Sequence, residues 1–329
     1  MKFDVEFNSA GQLSVEAVLE GAVVAEQKGF HTVWKGESNS KDPLVLLTAI
    51  AARTQRINLG TAVYHIFGRT PVTLGIMAAS LDELSGGRFI FGLGVANRNI
   101  ATWHGQSFAK PLKAIREYVE IVQQTFSGQK VSYKGEFFSA EGFRLAFKPV
   151  SARLPIYLAG LGPKMTRLAG SIADGVLINM GTPGKIGEIA SNAREGAAAA
   201  GRNPGDVAIV AKVRCSIHED IKVARSNLKK IVTFYGLADH YRDALRGLGF
   251  GSLVDTLHET WKQKGFHAAK EQVADEVLDQ LPTIAATSMA HLKERLRPFE
   301  ASAATRLIIP YVPVTDDYAA EVLAFLRDW

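Results

Sequence analysis

One cysteine, Cys215, is all that 329 residues contain. A disulfide within the chain is excluded, as is a metal site built from several thiolates, and a reducing compartment is the expectation. The eight histidines include no HxH pair and no HExxH run, and His258-Glu259 lacks a second histidine four residues after the first. A tightly held catalytic metal is therefore not expected. There is no GxSxG elbow and no GxxxxGK[ST] phosphate loop. No apolar run approaches a membrane span; Ala197–Ala200 is short and follows Arg194-Glu195. The opening Met1-Lys2-Phe3-Asp4-Val5-Glu6-Phe7 alternates like a strand and lacks a signal peptide's apolar centre. These absences point to a cytoplasmic protein with no membrane partner.

Charge of one sign is also scarce. The formal net charge is +5, and lysine and arginine are spread along the chain. The densest group, Lys222, Arg225, Lys229 and Lys230, has the spacing of a solvated helix face, so no nucleic-acid partner is expected. A mildly positive surface suits a small ligand that carries phosphate.

What the chain does have is alternation. Strands are expected at Phe3–Phe7, Thr32–Lys35, Ile57–Val63, Arg88–Leu93, Pro155–Ala159, Gly175–Asn179, Val207–Cys215 and Arg306–Pro310. Between them lie amphipathic segments: Val15–Lys28, ending at Gly29, then about Pro43–Thr54, Pro71–Leu84, Pro111–Phe126, one running through Gly170, and Ile186–Ala200. A last helix runs through Leu326, and Val131–Phe138 reads as a hairpin turning at Lys134-Gly135. Repeated strand–helix units imply a parallel α/β sheet with right-handed crossovers. Eight units suit a closed barrel, although a doubly wound open sheet has the same periodicity. The stretch from about Ile221 to Gln280 is helical and too long for one crossover. It reads as an insertion within a single 1–329 domain, since no Pro/Gly/Ser linker brackets it.

Three segments carry more specific information. Arg69-Thr70-Pro71 is followed by Leu81-Asp82-Glu83-Leu84-Ser85-Gly86-Gly87-Arg88-Phe89 and then Gly92-Leu93-Gly94. Pro155-Ile156-Tyr157-Leu158-Ala159-Gly160-Leu161-Gly162-Pro163-Lys164 sets small residues between a strand and a helix opened by Pro163, a ready anion site. Ala173-Asp174-Gly175-Val176-Leu177-Ile178-Asn179 turns into an apolar strand that ends in an amide. Gly92-Leu93-Gly94-Val95-Ala96-Asn97 starts like a dinucleotide fingerprint but ends in Asn97, which disfavours an open-sheet NAD dehydrogenase.

From Met1 to about Ala200, and again over Ser288–Pro313, the chain resembles the luciferase-like family. That family includes FMN-dependent monooxygenases and coenzyme F420-dependent oxidoreductases. LDELSGGR and ADGV carry the resemblance. MKFDVEF, PIYLAGLGPKMTRLAG and IADGVLIN draw it toward the F420-dependent methylenetetrahydromethanopterin reductases. It implies a (β/α)8 TIM barrel with insertions, a cofactor phosphate held by Gly160, Leu161 and Gly162, and a non-prolyl cis peptide around Val63-Tyr64. It also implies a homodimer through Pro43–Thr54 and Pro71–Leu84. Hydride transfer between F420 and a small organic or pterin-type substrate is the leading expectation. The alternatives are an FMN monooxygenase, which needs dioxygen and a partner flavin reductase, and a non-catalytic flavin-binding subunit.

On such a barrel the residues past the strand ends face the active site. Alternation puts Asp4 and Glu6 on one face, with Glu6 nearer the mouth. The resemblance suggests that Glu6 is an acid in catalysis; a structural carboxylate paired with an internal Arg or Lys is the competing reading. Where F420 reductases often read Thr-Asp-His, this chain has Trp34-Lys35-Gly36-Glu37-Ser38-Asn39. The family's histidine is absent, and its role in holding the cofactor falls to Glu37, to Ser38 or to no residue; Lys35 is placed at a cofactor phosphate or acidic tail, with a strand-end surface lysine as the competing reading. Val63 and Tyr64 are placed against the cofactor ring, and His65 near the substrate as a second catalytic residue. Asn8, Gly94, Asn97 and Asn179 complete the expected cofactor contacts, while Trp103 reads as loop packing.

Overall fold

The computed structural model describes residues 1–7 and 12–329. Eight strands form its centre: β1 (Lys2–Glu6), β2 (Thr32–Lys35), β3 (Asn58–Thr61), β4 (Phe89–Gly94), β5 (Ile156–Ala159), β6 (Gly175–Ile178), β7 (Ala208–Lys212) and β8 (Arg306–Ile309). Each pairs in parallel with its successor, and β8 returns to β1 through Lys2↔Arg306 and Val5↔Ile309. Leu59↔Phe89 and Gly60↔Ile90 join β3 to β4. The ring is closed, so the molecule is a (β/α)8 barrel and the open sheet is ruled out.

Helices α1 (Val15–Gln27), α2 (Pro43–Arg53), α3 (Pro71–Ser85), α4 (Pro111–Phe126), α5 (Pro163–Ile172) and α6 (Pro183–Ala199) follow the first six strands. Their starts are written in local chemistry. Ser14, Asp42, Thr70 and Thr182 each accept a backbone N–H of the first turn, and proline opens all but α1. The resemblance motifs prove to be fasteners. Gly86 and Gly87 stop α3 at φ +65° and +82°, a conformation that costs glycine least. Arg88 then donates to the carbonyls of Ser85, Ile57, Thr54 and Ala51. Buried Asp82 holds Ser151 by its N–H and hydroxyl, and Asp174 accepts the Ile156 N–H between β5 and β6.

Between β7 and β8 lie α7 (Ile221–Leu237), α8 (Asp239–Gly247), α9 (Gly251–Lys270) and α10 (Asp275–Gln280), and then α11 (Met289–Glu300). The first four enclose an apolar cluster of their own, with Leu228, Val232, Leu245, Val254 and Leu257 fully buried. The terminal helix is α12 (Tyr318–Asp328).

Four expectations need correction. The strand drawn over Val207–Cys215 is two: the chain leaves the barrel after Lys212, and Arg214–Ile217 pairs with Thr283–Ala286, a strand the periodicity did not reveal. The hairpin is wider than drawn, with Ser132–Lys134 antiparallel to Ser139–Glu141 because the turn spans Gly135–Phe138. The cis peptide lies one bond earlier, at Ala62-Val63. Arg225 and Lys229 do not form a purely solvated face; they pair with Asp275 and Asp279 of α10.

The barrel interior is filled by Trp34, Ile90, Tyr157, Leu177, Val210 and Ile308. Room for Trp34 comes from Gly60, where a Cβ would lie 2.3 Å from the indole Cε3. The indole N–H donates to Asp4 Oδ2 at 2.8 Å, and Arg306 donates to the Tyr157 hydroxyl at 2.6 Å. This layer separates a hollow at the amino ends of the strands, bordered by Lys2, His31 and Arg306, from the space at their carboxyl ends.

Candidate active site

The carboxyl ends of the strands converge on a cavity of about 410 Å³. Glu37 enters from the end of β2, Ala62 and Val63 from β3, Gly94 and Asn97 from β4, Gly160 and Leu161 from β5, Asn179 from β6, and Lys212 closes β7. Tyr235 and Tyr241 reach in from the insertion. A roomier hollow of about 880 Å³ between α4, α5 and α6 lies outside the barrel. It gathers no comparable set of buried polar groups, so the barrel mouth is the site.

Glu6 is buried beneath this cavity. Lys212 Nζ lies 2.7 Å from each of its carboxylate oxygens, with side chains 1% and 9% exposed for Glu6 and Lys212. The Lys212 end lines the cavity and the carboxylate sits behind it. The pair exists because β1 and β7 point these residues inward, and neither charge tolerates burial alone. Lys35 is also buried, with Nζ 3.2 Å from the Gly36 carbonyl. Burial holds its ammonium below the usual lysine range, against the favourable field of Glu6.

A second cluster borders the cavity at Glu37. Its Oε2 accepts the His65 backbone N–H at 3.0 Å and lies 3.0 Å from His65 Nε2, while Arg69 donates to Oε1 at 3.2 Å. These donors favour the carboxylate, but desolvation outweighs them and raises its pKa to about 7. Burial, helped by His104 and Arg69, lowers the His65 pKa to about 4. The contact is thus not an ion pair near neutral pH. The Phe67 N–H points at His65 Nδ1 from 3.3 Å, so the imidazole proton is assigned to Nε2, facing Glu37. Arg69 also reaches Asp42, which accepts the Tyr64 hydroxyl at 2.7 Å.

Eight expected residues line the cavity together: Glu37, Val63, His65, Gly94, Asn97, Gly160, Leu161 and Asn179. Glu6, Lys35, Tyr64 and Gly162 do not. Tyr64 is fully buried with its hydroxyl turned to Asp42, and Gly162 is the N-cap of α5. Asn8 lies outside the described residues. Asn97 Oδ1 accepts the Ile100 N–H at 3.1 Å, so it also caps the short helix Arg98–Trp103. Trp103, expected to pack in its loop, is largely exposed, at 64%.

Sequence reasoning missed Lys212, Tyr235 and Tyr241. Lys212 left a trace: a buried Glu6 needs a cation, and Lys212 is the charged residue at the end of an apolar strand. The two tyrosines left none, because the insertion has no strand-end rule to place them.

Two features fit a phosphate-bearing ring cofactor. Gly162 offers no side-chain cap, leaving backbone N–H groups at the start of α5 open to an anion. Asn179 Nδ2 donates to the Tyr241 hydroxyl, while its Oδ1 is buried without a donor, an acceptor matched to a ring N–H. Among the described residues no group of histidine, cysteine and carboxylate side chains could hold a metal, and no helix is long and apolar enough to cross a membrane.

The family model of luciferase-like monooxygenases matches residues 3–306. A putative coenzyme F420-dependent oxidoreductase of Mycobacterium tuberculosis is 30% identical over 330 residues, covering 94% of each chain. The 5,10-methylenetetrahydromethanopterin reductase of Archaeoglobus fulgidus is 30% identical over 292 residues, covering 85% of this chain and 84% of that one. Among solved structures, the coenzyme F420-dependent tetrahydromethanopterin reductase from Methanopyrus kandleri superposes with a TM-score of 0.86 at 23% identity, over 99% of this chain and 97% of the other.

Proposed function

The chain belongs to the luciferase-like monooxygenase family and is an oxidoreductase of the flavin or deazaflavin kind, and from that premise we propose that it uses coenzyme F420 to reduce a small organic substrate. Support comes from relatives named for F420 and from the uncapped α5 start beside a cavity whose Asn179 Oδ1 lacks a donor. The chemistry such a cofactor supplies when bound is a hydride for an electrophilic carbon.

The residues of the chain do the rest. The backbone of Gly160, Leu161 and Gly162 would hold the phosphate, with Val63, Gly94 and Asn179 at the ring. Tyr235, Tyr241, Leu161 and Met165 narrow the mouth and keep water from the reacting carbon. The proton is assigned to the Glu6–Lys212 pair, held at Lys212 Nζ where it meets the cavity and restored through Glu6 behind it. His65, neutral near pH 7, and Glu37, poised near 7, border the same cavity.

Titration of the full chain with F420 and, separately, with FMN tests the proposal by absorbance and fluorescence. Saturable F420 binding tighter than FMN is expected, together with turnover of reduced F420. Tight FMN binding with no F420 binding would reverse the assignment toward the monooxygenase.

A further inference from the structure

Among the described residues, Arg214 is a buried cation without an anion. It is 6% exposed and forms no ion pair with a described residue. Its Nη2 donates to the Tyr235 hydroxyl at 2.5 Å, its guanidinium carbon lies 4.8 Å from the Tyr235 ring centre, and Nη1 is buried with no hydrogen-bond partner. Burying a guanidinium uncompensated is unfavourable, and so is burying a donor with nothing to accept it. A fold that keeps such a residue beside its active site has a use for an anion there.

The cavity supplies the place. Tyr235 lines it, and Arg214 already occupies the acceptor side of the phenol oxygen. The phenol's own proton is left to point at an acceptor in the cavity, and the cation behind strengthens that donor. Tyr241 packs edge-on against Tyr235, ring centres 4.4 Å apart, and fixes its plane. Lys212, which lines the cavity, already has Glu6. The unbalanced positive charge is therefore on the insertion side of the cavity.

We propose that Tyr235 and Arg214 form a receptor for a carboxylate on the second substrate, Tyr235 donating to it and Arg214 acting as the positioning residue that supplies counter-charge. This rests on the reading of the protein as a reductase with two substrates. A phosphate carried by the cofactor is the other source of such an anion, but the start of α5 already answers that need. The substrate class is an organic acid whose carboxylate binds at the insertion and whose reducible carbon sits over the barrel.

Calorimetric titration of the full chain at constant ionic strength tests this with acetate, succinate and benzoate, each against its amide. At least one carboxylate should bind saturably and none of the amides should. Tyr235→Phe and Arg214→Met should each weaken that binding tenfold or more, with Arg214→Lys recovering part of it, and F420 affinity should stay within twofold of the parent. Arg214→Met should also unfold at no lower temperature than the parent, since it removes an uncompensated charge. The receptor is overturned if no carboxylate binds, if Arg214→Met and Tyr235→Phe bind as the parent does, or if F420 affinity falls instead. Should Arg214→Met not fold, Tyr235→Phe alone decides. Carboxylate binding in a chain that binds neither F420 nor FMN would sink the proposed reaction and leave the receptor standing.

Discussion

Burial shifts Glu37 and His65 in opposite directions, so they pull stability in opposite directions as pH changes. Glu37 moves from 4.5 to about 7 in the folded chain; its contribution to stability is full below pH 4.5 and is lost as pH rises through 7. His65 moves from 6.5 to about 4; its contribution is full above pH 6.5 and is lost as pH falls through 4. Between pH 4.5 and 6.5 the two slopes oppose, each spanning about 1–2 kcal/mol after solvent screening. Relative to the parent, Glu37→Gln should therefore gain stability as pH rises through this window, and His65→Asn should lose it. Urea unfolding across the window checks both; parallel profiles for parent and variants would refute the assignment. Glu6 gives a second prediction. Glu6→Gln leaves Lys212 buried and unpaired, at about 3–5 kcal/mol, whereas Glu6→Gln with Lys212→Met should recover most of that stability without recovering turnover. Recovery of turnover in the double variant would remove the pair from proton transfer. Strand parity made the inward direction of Glu6 legible in the sequence, and with it the need for a partner. The pKa of Glu37 was not legible, because it depends on desolvation by residues distant in sequence.

At the scale of elements, helix starts were the most readable feature. Serine, aspartate or threonine before proline or an apolar stripe marks α1, α2, α3 and α6 with little ambiguity. Strand ends were less so, and the run from Ala208 to Ile217 shows why. Its residues are apolar or buried throughout, so nothing local marks the point where hydrogen bonds pass from the barrel to Thr283–Ala286. A glycine marks another such point. At Gly92 a Cβ would lie 1.8 Å from the Thr61 carbonyl oxygen, and Thr61 exchanges hydrogen bonds with Gly92 through its hydroxyl. Gly92→Ala must push β3 from β4 and strain the ring, and a loss of about 3 kcal/mol or more is expected. An unchanged urea midpoint would show that the β3–β4 pair yields more easily than this geometry allows.

For the whole molecule, barrel closure followed from counting units and from motifs that turn out to fasten neighbouring elements. The outer surface bears on assembly. Val45 on α2 is 68% exposed and Leu84 on α3 is 52% exposed, and we propose that this face joins two copies of the chain. Val45→Asp with Leu84→Asp should halve the mass measured by sedimentation equilibrium; a monomeric parent, or a variant that still dimerises, would reject that face. The insertion was legible as helical, but which of its side chains enter the site was not, since its tyrosines reach the cavity only through the tertiary fold. Its entry and exit strands, Arg214–Ile217 and Thr283–Ala286, lie side by side in one parallel ladder. Because Arg214 lies opposite Thr283 and Ile217 opposite Ala286, the excursion leaves at Ile217 and returns at Thr283, one strand across and about 10 Å back along the ladder. That is the geometry of a crossover: the paired strands hold the departure and the return, so a change confined to the helices between them is expected to leave the path of the barrel chain as it is.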